Sequence, residues 1–183
     1  LFRSLTISIA GAGNCQDVDL NVLAELFNEI RLIDIDATAV NVAVSKCPPS
    51  VASRIRIVAP IDIAAPLLSD SAAMATGTES REAFLAALQT PSAREDVPVS
   101  DVVVSACILS QLIDTASQIV SPGAPEFLSL IQAVRRGHLT RLLDLTNSGG
   151  RTLLITDFVS SDTVPALNQT PPAELPKLMF QCL

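Results

Sequence analysis

Five short apolar runs separated by helical stretches limit this chain to very few architectures. Leu5 to Ala10 reads as a buried strand closed by Gly11. Ile30 to Ile35, Arg54 to Ala59, Val97 to Ser105 and Arg151 to Phe158 repeat that pattern. Between them lie runs of helical period. Val18, Val22, Leu23, Leu26, Phe27 and Ile30 predict a helix capped by Asp17, and Ala37 to Lys46 predicts a second, stopped by Pro48 and Pro49. A third starts near Thr76 to Glu79, with Ala83, Phe84, Ala87 and Leu88 as its core side and Pro91 as its stop. Ile108 to Ile119 is the fourth. The fifth opens at Pro125 and Glu126 and runs to about Asn147, where Gly149 and Gly150 end it. Alternation of this kind predicts an α/β fold: a doubly wound, mainly parallel Rossmann-like sheet with helices on both faces.

Composition limits the partners. The chain has 183 residues, 49% of them hydrophobic and 17% charged, which suits a single domain over 1–183 with a substantial core. The net charge of −7 opposes binding to a phosphate backbone or an anionic lipid surface, so neither nucleic acid nor membrane is an expected partner. No run reaches the roughly 20 apolar residues of a membrane span. Cys15, Cys47, Cys107 and Cys182 are too widely spaced for a metal site and read as free thiols of a cytoplasmic protein. The chain enters its first strand within a few residues, and we expect an N-terminal segment to be missing.

The chemistry is concentrated in residues 7–36. A strand enters the glycine turn Gly11, Ala12, Gly13, and the next strand ends on Asp34 and Asp36. Such a unit can hold an adenosine-containing cofactor, with backbone amides at the turn and a carboxylate for the ribose hydroxyls. Each residue also has a plain structural alternative. A tight turn needs glycine with or without a ligand, and Asp36 is placed to cap the next helix.

The ordered strand ends resemble those of the class I S-adenosylmethionine-dependent methyltransferases. Ile9 to Cys15 resembles the first motif of that family, Leu32 to Asp36 its acidic second strand, and Pro60 to Ile63 a segment near the adenine. Asp101 to Leu112 resembles its fourth strand and following helix, and Gly149 to Ile155 its fifth strand. The resemblance covers Leu5 to about Phe158 and implies strand order 3-2-1-4-5, followed by an antiparallel hairpin that is not evident here. It implies S-adenosyl-L-methionine as cofactor, held by Gly11, Ala12, Gly13, Asp34, Ile35, Asp62, Ile63, Ser105 and Ala106. Asp34 would take the ribose, Asp62 the adenine amine, and Ile63 would pack on the ring. Asp62 also reads as a loop carboxylate, and Ser105 as a helix cap.

The implied activity is methyl transfer to a small-molecule or protein acceptor, with no metal. The alternatives are a non-catalytic relative used for binding or scaffolding, and an NAD-dependent oxidoreductase. Ile9 stands where the family often has an acidic residue, and Cys15 where it often has a third glycine, which keeps the non-catalytic alternative open. Gln16 occupies the third glycine position of a dinucleotide fingerprint, and the chain has no tyrosine, which argues against the oxidoreductase. Cys107 has no histidine near it in sequence and reads as a structural thiol. His138, the single histidine, sits within the long helix and reads as a surface or core residue rather than a base.

Overall fold

The computed structural model describes residues 4–63, 67, 69–90, 97–157 and 164–181. Five strands form one sheet: β1 (Thr6–Ala10), β2 (Glu29–Ile33), β3 (Ile55–Val58), β4 (Ser100–Ala106) and β5 (Thr146–Ile155). Their order is β3-β2-β1-β4-β5 and every pairing is parallel. This is the doubly wound arrangement that the alternation predicts. The expected hairpin partners of β5 are not found among the described residues.

The two faces follow from strand alternation. Ile7 and Ile9 of β1, with Ile30 and Leu32 of β2, pack under α1 (Leu20–Leu26), α2 (Ala37–Ser45) and α3 (Pro49–Ala52). Ala10, Ile33, Val58 and Val103 face the other way, toward α6 (Ile108–Ile119) and α7 (Phe127–Asp144). A third cluster joins Phe84 and Leu88 of α5 (Thr78–Gln89) to Leu130, Ala133 and Val134 of α7. There Gly137 has no side chain because a Cβ would overlap the Leu88 carbonyl. Short α4 (Ala73–Thr76) precedes α5, and α8 (Leu175–Gln181) follows a 3-10 turn at Pro165–Gln169. Among the described residues no helix is long and apolar enough to cross a membrane.

Several local expectations shift. Asp19, not Asp17, caps α1, accepting from the Asn21 and Val22 N–H groups at 2.9 and 3.2 Å. That helix ends at Leu26 because Phe27 is extended and Asn28 already donates to the Leu5 carbonyl. Pro49 does more than stop α2, since it occupies the first turn of α3. Ala83 and Ala87 are exposed, because only the Phe84–Leu88 side of α5 meets α7. The long helix stops at Asp144. Gly149 and Gly150 lie in a bulge of β5, between the Ser100–Thr146 and Val102–Arg151 pairs, and do not end a helix. Pro91, Phe158 and Cys182 lie outside the described residues.

Polar residues inside the second face are paired. Arg31 is buried and donates to the Pro98 and Val99 carbonyls, to Ser100 Oγ and to Glu29. Ser8 and Ser100 share a hydroxyl contact of 2.6 Å. His138 is buried, as the core alternative predicts, with Nε2 2.8 Å from Ser105 Oγ; its Nδ1 has no partner.

Burial lowers the His138 pKa from 6.5 to about 4, so the ring is neutral in the fold. The unfolded chain therefore takes up this proton first. The stabilisation is complete above pH 6.5 and is lost as pH falls through about 4. Linkage sets that loss at about 3 kcal/mol. Urea unfolding at stepped pH should show the wild type losing this much relative to His138→Leu; parallel curves would rule the assignment out.

Candidate cofactor-binding cleft

The chain runs from β1 outward to β2 and β3, then returns to β4 on the other side of β1. Such a reversal opens a crevice at the carboxyl ends of the two central strands, because their following segments depart in opposite directions. Gly11 sits at this point, with φ +75°. A Cβ there would lie 2.5 Å from Ile108 Cγ1 and 2.9 Å from the Ala106 carbonyl oxygen, so packing alone accounts for glycine. Gly13 differs. Its φ is +49° and its missing Cβ would face open space, so its backbone is accessible from the crevice.

Asp34 ties the turn to the second strand. One carboxylate oxygen accepts the Gly13 N–H at 2.8 Å and the other accepts the Asp36 N–H at 2.8 Å. Asp36 caps α2 through Thr38 and Ala39, as its alternative predicts. The Asp34 carbonyl accepts from Ile61 N–H at 2.8 Å, which holds the segment carrying Asp62 and Ile63 beside the second strand. Three strand ends thus meet at one carboxylate-bearing residue.

Two cavities flank Gly11. One, of about 200 Å³, is lined by Asp34, Ile35, Asp62 and Ile63, with Ile108 and Leu112 of α6 opposite. The other, of about 550 Å³, is lined by Ala12, Gly13, Asn14, Cys15, Asp17 and Ala106, among others. Gly11 and Gln111 border both, so they form two arms of one cleft. Eight of the nine residues anticipated from sequence line it. Ser105 is the exception. It belongs to β4, not to a helix start, and its fully buried hydroxyl turns through the sheet to His138. Strand alternation forces this, since Ala106 and Ser105 must face opposite sides.

The wall contributed by α6 is absent from the expectation. Ile108, Gln111, Leu112 and Thr115 all border the smaller cavity and recur at helical spacing. That periodicity is the signal by which they could have been found.

The thiols at the larger cavity are poor nucleophiles. Burial, then Cys47 and Asp34, pushes the Cys15 pKa up to about 11. Burial and then Asp157 also raise that of Cys107, whose Sγ lies 3.8 Å from the Asp157 carboxylate. Both therefore stay protonated at neutral pH. They are also the two non-glycine residues with positive φ among the described residues. Left-handed backbone costs a side-chain-bearing residue about 1–2 kcal/mol, and such strain tends to collect at ligand clamps. The residues lining the two cavities include Asp17, Asp19, Asp34 and Asp62 but no lysine, arginine or histidine. Among the described residues no three side chains are grouped to hold a metal ion.

Comparison of the chain with protein-family models, with curated proteins and with solved structures finds no match.

The two glycines should separate packing from binding. Gly11→Ala should cost about 3 kcal/mol in denaturant unfolding, through the Ile108 and Ala106 contacts and the strained φ. Gly13→Ala should cost only about 1 kcal/mol. Equal losses would show that the turn is not packed as described.

Proposed function

We propose that this chain is a S-adenosyl-L-methionine-dependent methyltransferase with the cofactor lying across both arms of the cleft. The observation that carries this reading is the charge of the lining: carboxylates line both arms, and no basic side chain does. A sulfonium cofactor brings a fixed positive charge that such a lining attracts, whereas a dinucleotide brings a pyrophosphate that it repels. The start of α1 agrees. The helix begins only at Leu20 and Asp19 already accepts its first N–H groups, so the helix after the turn offers none to a pyrophosphate.

In this reading Asp34 accepts the ribose hydroxyls, and its hold on Gly13 keeps carboxylate and turn in register before ligand arrives. Ile35 and Ile63 border the adenine arm, with Asp62 at its exocyclic amine. The open backbone at Gly13 receives the amino-acid end. Ala106 leaves room for the methyl group. The sulfonium is already activated, so the protein mainly supplies alignment of acceptor, methyl carbon and sulfur. The acceptor is a small molecule or a protein, and a cytoplasmic setting belongs to the same proposal, consistent with free thiols at Cys15, Cys47 and Cys107. A non-catalytic relative is the second reading. It draws on Asp34, whose two oxygens accept backbone N–H groups and so hold the turn and the entry to α2 in a purely structural role.

Isothermal titration with S-adenosylmethionine, S-adenosylhomocysteine and NAD tests these readings together. Binding of the first two is expected, and binding of NAD alone would overturn the proposal. Asp34→Ala should weaken S-adenosylmethionine by about one to two orders of magnitude, as loss of a charged acceptor implies. It should also lower the melting temperature, because Gly13 and Asp36 lose their acceptor. Unchanged affinity in a folded Asp34→Ala protein would remove the residue from the site.

A further inference from the structure

We propose, resting on the cofactor reading above, that the side-chain amide of Gln111 meets the positively charged sulfur of the cofactor. It is then the residue at which the cleft separates S-adenosylmethionine from its neutral product, S-adenosylhomocysteine. Gln111 and Gly11 are the two residues that line both arms of the cleft. A ligand spanning the arms passes between them, and Gly11 has no side chain to offer it. With the adenosine in the arm of Asp34, Asp62 and Ile63, and the amino-acid end at Gly13, the atoms left for the junction are the sulfur and the carbons bonded to it.

The fold fixes where Gln111 stands. Ile108 packs so closely on Gly11 that a Cβ on the glycine would lie 2.5 Å from Ile108 Cγ1. Gln111 follows Ile108 by three residues within α6, so the two share a face. Helical side chains lean toward the start of their helix, which carries the Gln111 amide back toward Ile108 and Gly11. Ile108, Leu109 and Ala116 are buried and anchor α6 to the rest of the fold.

Other polar groups near the junction are committed elsewhere. Asp34 is tied to the Gly13 and Asp36 N–H groups and, in this reading, serves the ribose. Thr115 Oγ1 donates to the Gln111 backbone carbonyl at 2.9 Å. Asn14 and Gln16 line the larger arm alone. The Gln111 side-chain amide makes no hydrogen bond among the described residues. Its oxygen carries a partial negative charge that can turn toward a cation. An amide oxygen is also a weak nucleophile, so it can touch the sulfonium without taking the methyl group. Once the methyl group has passed to the acceptor, the C–S electron pair stays on sulfur. The sulfur is then neutral, and this attraction disappears.

Isothermal titration of the wild type, Gln111→Leu and Gln111→Glu with each of the two ligands tests the inference. Leucine removes the dipole, and should lower the affinity for S-adenosylmethionine about ten-fold relative to that for S-adenosylhomocysteine. Glutamate keeps the shape and adds a charge, and should raise the same ratio about ten-fold above wild type. Gln111 is exposed, so circular dichroism should show both variants folded. Opposite shifts of the ratio report charge at the sulfur, because a packing role would move both ligands together. If both variants keep the wild-type ratio, the role of Gln111 is overturned while the cofactor reading stands. If the wild type binds neither ligand, the cofactor reading falls and this inference falls with it.

Discussion

The Asp34 carboxylate holds together the end of the molecule where chemistry is expected. Its two oxygens take one N–H from the glycine turn and one from the entry to α2, while its carbonyl takes the Ile61 N–H from the segment after β3. Three chain segments that diverge from the sheet are thereby fixed at one residue. Charge-assisted bonds of this kind are shorter and stronger than those between neutral groups. They fix the turn that carries left-handed backbone at Gly11, Gly13 and Cys15. A site held in this way loses less free energy to ordering when it binds.

Below that end, the sheet separates two kinds of interior. One face is almost wholly aliphatic, from Ile7 through Val51. The other carries buried polar groups: Arg31 against two carbonyls and Ser100, and Ser105 against His138. Because Ser105 faces the histidine, the β4 wall of the cleft is left to Val104 and Ala106, continued by the start of α6. The position of His138 thus affects the cleft without touching it. It removes the one histidine from any role as a base there.

Residue pattern made the architecture legible. Alternating apolar runs and helical stretches foretold all five strands, because parallel strands covered on both faces must be short and continuously apolar; their order 3-2-1-4-5 was what the resemblance implied. Ile108 to Ile119 matches α6 residue for residue. What stayed hidden depended on tertiary partners. Asp17 and Asp19 are the same residue type two positions apart, and only the folded backbone shows that it is Asp19 that meets the Asn21 and Val22 N–H groups. Gly149 and Gly150 look like a helix terminator, yet the pairing of Thr146 with Ser100 puts them inside a strand. Of the site, eight residues were readable as strand ends. Ser105 was not, since a one-residue difference in where β4 stops reverses the direction of its side chain. The α6 wall was overlooked because its residues look like ordinary amphipathic helix.

In the proposed reading, charge separates ligands that the fold alone would admit equally. Doubly wound sheets of this order hold nucleotides of many kinds at the same crevice, so topology carries no preference for a sulfonium over a pyrophosphate. Glycine at the turn carries none either, since Gly11 is demanded by Ile108 and Ala106. The preference comes from what the cleft lacks. A phosphate site after a glycine turn is assembled from cations or from the start of the helix that follows; here no cation lines either arm, Asp19 closes α1, and acidic side chains run along both arms. A ligand that is electrically neutral at its adenosine and positive at its reacting centre is the one whose charges such walls stabilise. That complementarity would persist if catalysis had been lost, which is why binding and turnover must be measured separately.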